Sequence, residues 1–237
     1  MTHQKGVLYM IPTYVAETKP AETFPRSNAE ILKKTRHFVV ENERTARRFL
    51  KSVDRSIEID ELTMAELSEH SGAADVPAML TAAEEGEDVA MVSEAGCPGV
   101  ADPGADIAAE AHRRGIRVVP LVGPSSILMG LMASGLNGQN FAFCGYLPIG
   151  TELAKRLRKM EDRSLKENQT QICIEAPYRN DKLFATLTQT LRPETRLCIA
   201  RDVMGAEELI ATKRVAEWEK GPAPELHKRP TVFLFLA

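Results

Sequence analysis

In the first half of the chain, short apolar runs alternate with stretches of helical periodicity. This alternation constrains the fold more than any other feature. Val7–Ile11, His37–Glu41, Asp88–Val92 and Ile116–Leu121 read as strands. Between them, Ala29–Thr35, Glu43–Val53, Val76–Glu85 and Ala105–Arg114 read as helices. Strands joined through helices pair in parallel, because a parallel connection needs a long crossover, and the helices then cover the sheet. The expected class is α/β. In such sheets small molecules bind at the carboxyl ends of the strands, in the loops that follow them.

The texture changes around Asn137–Gln139. Phe141–Tyr146 is apolar and stops before Pro148, Ala154–Lys166 is a highly charged helix, and Gln171–Glu175 is a strand followed by a helix over Asp181–Leu191. Leu197–Arg201, Glu208–Thr212 and Thr231–Leu236 complete a second sheet, expected to be mixed. The 237 residues suffice for two such domains. The expected division is 1–138, an N-terminal α/β domain with a mainly parallel sheet, and 139–237, a C-terminal α/β domain with a mixed sheet.

Composition narrows the chemistry. The net charge of -3 excludes a molecule that is basic all over, so any nucleic-acid contact needs a local patch. Cys97, Cys144, Cys173 and Cys198 form no CxxC pair and are expected to be reduced thiols in a cytoplasmic protein. His3, His37, His70, His112 and His227 show no HxH or HExxH spacing, so no metal site is expected. The apolar run Val7–Ile11 is short and stopped by Pro12, so no signal peptide is expected. Val118–Leu136 is uncharged but broken by two prolines and three glycines, so it reads as strand, turn and core helix rather than a membrane span. Trp218, in a charged segment, is expected to be an amphipathic cover.

Two loops carry the strongest functional signal. Ser93-Glu-Ala-Gly-Cys-Pro-Gly-Val-Ala-Asp-Pro-Gly104 follows a strand and precedes a helix. A connecting turn needs only about two to six residues, so this longer, glycine- and proline-rich loop suits a ligand approaching the backbone. Neither phosphate-loop spacing is present. Glu94 and Asp102 favour a cationic or neutral ligand, or could serve as general bases or hold the loop's own backbone. Gly123-Pro-Ser-Ser126 follows the next strand, and Ser125 or Ser126 either caps the following helix or contacts ligand.

These residues resemble the tetrapyrrole methylase superfamily, most of all its branch that methylates small-subunit ribosomal RNA. That family's loop reads SDAGTPxxSDPG, and this chain has Ser93-Glu-Ala-Gly-Cys-Pro98 and Ala101-Asp-Pro-Gly104. PGPSAxxxALxxSGL corresponds to Val122-Gly-Pro-Ser-Ser126 and Ala133-Ser-Gly-Leu136, and FxFxGFLP to Phe141–Pro148. EDTRxTxxLL corresponds to Glu41–Leu50, ESPHR to Glu175-Ala-Pro-Tyr-Arg179, and ARELTKxxEE to Ala200-Arg-Asp202 with Glu207-Glu208. The resemblance implies two α/β domains with a cofactor cleft between them and a homodimer. It implies an S-adenosylmethionine site made by Pro12, Ser93, Glu94, Ala95, Gly96, Cys97, Pro98, Pro124, Ser125, Ser126, Ala176 and Pro177.

The resemblance further implies methyl transfer, with a ribose 2′-hydroxyl of ribosomal RNA in the small subunit as acceptor. A small-molecule methylase and a non-catalytic cofactor-binding protein are the alternatives. The departures concern polar positions. TPIGN is here Ile11-Pro-Thr-Tyr-Val15, Asn42 and Glu43 replace Asp and Thr, Tyr178 replaces His, and Met204-Gly205 replaces Thr-Lys. No general base is assigned. Arg44, Arg47, Arg48 and Lys51 share one helix face, opposite Ala46, Phe49, Leu50 and Val53. This stripe is either a solvated face or a contact to RNA phosphates. Lys155, Arg156, Arg158 and Lys159 form a second basic cluster, and no aromatic platform for unpaired bases is evident beside either.

Overall fold

Five parallel strands build the first sheet: β1 (Val7–Ile11), β2 (His37–Val40), β3 (Thr63–Glu66), β4 (Val89–Val92) and β5 (Arg117–Pro120), in the order β3-β2-β4-β1-β5. The structure is a computed structural model describing residues 4–16, 23–67 and 75–237. His3 and His70 lie outside the described residues. The chain divides into two compact units, Met1–Ser125 and Ser126–Ala237.

In the first unit, strand parity sorts the apolar side chains onto two faces. Leu8, Met10, Val39, Val89 and Met91 pack with Ile107 and Ala111 of α4 (Gly104–Arg113) and with Leu80 and Ala83. Ile11, Phe38, Val40, Ala90 and Val92 pack with Leu32 of α1 (Arg26–Lys34) and Ala46, Phe49 and Leu50 of α2 (Glu43–Val53). Full burial of a side chain such as Phe38 or Leu50 is worth about 1.5–3 kcal/mol.

The strand order decides where a ligand can sit. From β1 the chain crosses over β4 to reach β2, with α1 on one face. From β4 it crosses over β1 to reach β5, with α4 on the other face. The adjacent strands β1 and β4 therefore send their loops in opposite directions. A crevice opens at their carboxyl ends, the switch point of an open parallel sheet.

Two elements differ from the sequence reading. β3 falls where the sequence reading assigns no element: it has four residues, none fully buried, so no apolar run announces it. Val76–Glu85 is a 3-10 turn (Val76–Leu80, with proline in its first turn) followed by the one-turn helix α3 (Thr81–Glu84), rather than one α-helix.

The second unit begins with α5 (Ser126–Ser134), ahead of the expected division at 138/139. The reason is packing. Ile127, Met129 and Leu131 join Cys198, Ala200, Val232 and Leu234 in one core, and Gly130 brings the helix close enough that a Cβ would lie 3.3 Å from that of Ala200. The sheet contains β6 (Phe141–Tyr146), β7 (Thr170–Ile174), β8 (Arg196–Arg201), β9 (Leu209–Arg214) and β10 (Thr231–Leu236), ordered β6-β7-β10-β8-β9. It is mixed, because β6 and β7 are parallel and the other pairs antiparallel.

Its opposite face carries α6 (Thr151–Glu167), α7 (Asn180–Thr190) and α8 (Val215–Lys220). Trp218 is a core residue there rather than a cover. It is 5% exposed, stands edge-on to Phe184, and its indole N–H donates to the Leu197 carbonyl at 2.9 Å.

Candidate functional site

Three loops meet at the carboxyl ends of the neighbouring strands β4, β1 and β5. The Thr13 N–H donates to the Gly96 carbonyl at 2.9 Å. The buried Ser93 hydroxyl donates to the same carbonyl at 3.1 Å, closing its own loop. The Cys97 thiol donates to the Pro124 carbonyl at 3.4 Å. A Cβ on Gly123 would lie 2.3 Å from Cβ of Pro12, so the β5 loop reaches the β1 loop only because that residue is glycine. Asn28, buried on α1, donates to the Val122 carbonyl at 2.8 Å and fixes the β5 loop from a second side.

Pro12, Ser93, Gly96, Cys97, Pro124 and Ser125 thus belong to one loop cluster, with Pro98 continuing the β4 loop. Glu94 and Ala95 are its exposed tip. Gly96 has φ +75°, a conformation that disfavours any side chain, and a Cβ there would meet only Val15 Cγ1 at 3.7 Å and the Pro124 carbonyl at 3.8 Å. Burial, and secondarily the charge of Asp102, push the Cys97 thiol above the ordinary thiol range.

Asp102 is engaged inside its own loop. One carboxylate oxygen accepts from the Gly99 and Gly104 N–H groups, both at 2.7 Å, and so joins the loop to the start of α4. Of the roles open to it in the sequence, the geometry supports the backbone clamp.

Glu94 faces another direction. Its carboxylate accepts from the Thr45 hydroxyl at 2.9 Å, and its N–H donates to Glu41 at 2.8 Å. Glu66 accepts from the Glu43 N–H at 2.9 Å, and Asn42 caps α2 by accepting from the Arg44 and Thr45 N–H groups. Carboxylates from the ends of β2, β3 and β4 therefore gather around the start of α2. The exposed stripe Arg44, Arg47, Arg48 and Lys51 runs outward from this point. Arg47 pairs with Glu43 at 3.1 Å, and Lys51 donates to the Arg55 carbonyl at 3.0 Å. Such an exposed pair is worth about 0–1 kcal/mol and leaves Arg47 available to a stronger anion.

Ser126, Ala176 and Pro177 belong to the second unit. Ser126 is the first residue of α5, while Ala176 and Pro177 follow β7. The Glu175 carboxylate accepts from the Ala176 N–H at 2.7 Å and from Arg179 at 2.6 Å, and this shapes the loop. Lys155, Arg156, Arg158 and Lys159 are exposed on α6. Among the described residues, no group of three or more histidine, cysteine, aspartate or glutamate side chains is arranged to hold a metal.

The sequence reading misses Asn28, whose signal is a polar residue on an otherwise apolar helix face. It also misses Thr13, which is 3% exposed and whose hydroxyl finds no hydrogen-bond partner among the described residues.

The first unit is thus a parallel sheet with a loop-lined switch point, and the second is a mixed sheet. The sequence profile of the family described as Tetrapyrrole (Corrin/Porphyrin) Methylases matches residues 25–218, and the chain belongs to that family. The crystal structure of the methyltransferase CobJ is similar in fold, with a TM-score of 0.64 and 20% identity over 98% of this chain and 94% of that one. Among particular proteins, "Ribosomal RNA small subunit methyltransferase I" of Mesorhizobium japonicum is 37% identical over 145 residues, 61% of this chain and 48% of that protein. The protein of the same name from Synechocystis sp. is 30% identical over 203 residues, 84% of this chain and 67% of that protein. The chain spans about half the length of the first two such relatives, from Mesorhizobium japonicum and Pseudomonas aeruginosa.

Proposed function

We propose that this protein transfers a methyl group from S-adenosylmethionine to a ribose 2′-hydroxyl of small-subunit ribosomal RNA, and that it works as a homodimer in the cytoplasm. The observation that carries the cofactor half is the tie between Thr13, Gly96, Cys97 and Pro124 at the switch point. The residues fit the group. Gly96 carries no side chain, and a Cβ there would meet only the Val15 side chain at 3.7 Å and the Pro124 carbonyl at 3.8 Å. Pro12, Ser93–Pro98, Pro124 and Ser125 of the first unit would hold it.

When bound, the cofactor supplies a methyl group already activated by its sulfonium. The chain's own work is alignment and exclusion of water. Asp102 and Ser93 keep the loop rigid, so the pocket need not be ordered at the moment of binding. The name borne by the relatives supports the RNA acceptor, and the exposed arginine stripe beside the loop supports it independently. Exposed Leu128 and Met132, one turn apart on α5, support the homodimer. Among the described residues, no helix is long and apolar enough to cross a membrane.

The net charge of -3 favours a second reading, methylation of a small molecule. Calorimetry tests the cofactor half. Binding of S-adenosylmethionine or its demethylated product without added metal supports it. No binding, or binding only after zinc addition, refutes it.

A further inference from the structure

The second unit contains an aromatic surface that the sequence does not reveal. Tyr146 ends β6 and stands in register with Ile174 at the end of β7. Glu175 follows, and its carboxylate holds the Arg179 guanidinium at 2.6 Å. That guanidinium lies 5.2 Å from the centroid of the Tyr178 ring. Tyr178 is 61% exposed and Tyr146 is 59% exposed. A ring covered on one face by Arg179 and still this exposed keeps its other face open.

The chain has four tyrosines, and the other two, Tyr9 and Tyr14, pack against the core of the first unit. Keeping two large rings in water forgoes burial that would favour folding. Exposed aromatic rings beside an oriented guanidinium form the surface on which unpaired nucleic-acid bases stack. Arg179 has its pKa raised, first by its hydrogen bond to Glu175 and also by the nearby Tyr178 and Tyr146 hydroxyls, so it stays charged. Because Glu175 already pairs with it, Arg179 is better suited to face a ring than to recruit a phosphate.

We propose that Tyr146 and Tyr178, with Arg179 behind Tyr178, form a platform that stacks unpaired RNA bases. This rests on the RNA reading above and adds to it a preference for single-stranded over duplex RNA. Stacking is recognised by any base, so the platform holds an unpaired segment without reading its sequence.

The test uses the whole protein, a fluorescein-labelled single-stranded oligouridylate, and an RNA duplex carrying the same label. Wild type should prefer the single strand. Tyr146→Ala and Tyr178→Ala should each weaken single-strand binding by about 5- to 150-fold, the range for removal of one stacked base. Tyr146→Phe and Tyr178→Phe should retain it, because the ring and not the hydroxyl does the stacking. The slope of affinity against salt should stay unchanged in the alanine variants, since every phosphate remains paired as before. S-adenosylmethionine affinity, read by calorimetry, should also hold.

Wild-type affinity for single strands in the double alanine variant overturns the platform and leaves the RNA reading standing. Equal losses of RNA and cofactor binding overturn it too, by placing the rings in the cofactor pocket. If wild type binds neither oligonucleotide nor small ribosomal subunits at low salt, the RNA reading falls and the platform with it.

Discussion

The Thr13 N–H and the Gly96 carbonyl are joined at 2.9 Å, so the loop leaving β1 and the loop leaving β4 form one body at the switch point of the parallel sheet. Gly96 sits at that junction with φ +75°. Gly96→Val forces a branched side chain onto left-handed backbone, at a cost of about 1–2 kcal/mol, and pushes it into the space proposed for the cofactor. The variant should remain folded by circular dichroism and lose S-adenosylmethionine binding in calorimetry. Retained wild-type affinity would place the cofactor elsewhere.

Gly123 makes a separate prediction. Its missing Cβ would overlap Pro12, at 2.3 Å, and the proline ring cannot swing away. Gly123→Ala should destabilise the protein by about 1–3 kcal/mol in urea unfolding, the usual cost of overpacking, and should weaken cofactor binding as well. A variant as stable as wild type would show that the two loops have room the structure does not give them.

The Cys97 thiol lies in the proposed site, so its reactivity reports on the local environment. Burial and the Asp102 charge raise its pKa, and a raised pKa means less thiolate at any given pH. Iodoacetamide should modify Cys97 more slowly than free glutathione at neutral pH, by peptide mass spectrometry, with the rate still climbing in alkaline buffer. A rate that levels off below neutrality would reveal a stabilised thiolate and contradict this picture.

The cofactor loops are legible in the sequence because glycine and proline density is local information. Ser93–Gly104 declares itself in any window that contains it. What stays hidden depends on packing between distant segments. β3 is short and half-exposed, so no periodicity betrays it. The uncharged α5 could have packed on either sheet, and only its fit against Ala200, Val232 and Leu234 assigns it to the second. Trp218 looks like a surface residue because charged neighbours surround it in sequence, whereas the helix turns them outward and the indole inward. Tyr146 is brought beside the end of β7, and so into the neighbourhood of Arg179, only through the parallel pairing of β6 with β7.

The basic stripe on α2 begins beside Thr45, which holds Glu94 of the β4 loop, so RNA bound along it would lead into the proposed site. Changing Arg47 and Arg48 together to Glu should weaken RNA binding and flatten its salt dependence, by roughly 0.7–0.9 in log–log slope for each phosphate no longer neutralised. Cofactor affinity should hold, because neither side chain touches the loop cluster. Unchanged RNA affinity in this variant would reduce the stripe to a solvated face.

The central claim is methyl transfer to ribosomal RNA, and the most direct measurement offers the protein three acceptors with tritiated S-adenosylmethionine. These are assembled small ribosomal subunits, deproteinised ribosomal RNA and a tetrapyrrole mixture. The account predicts tritium in RNA, in a 2′-O-methylated nucleoside after digestion, and none in the tetrapyrroles. Tritium in tetrapyrroles alone, or in none of the three despite tight cofactor binding, would contradict it.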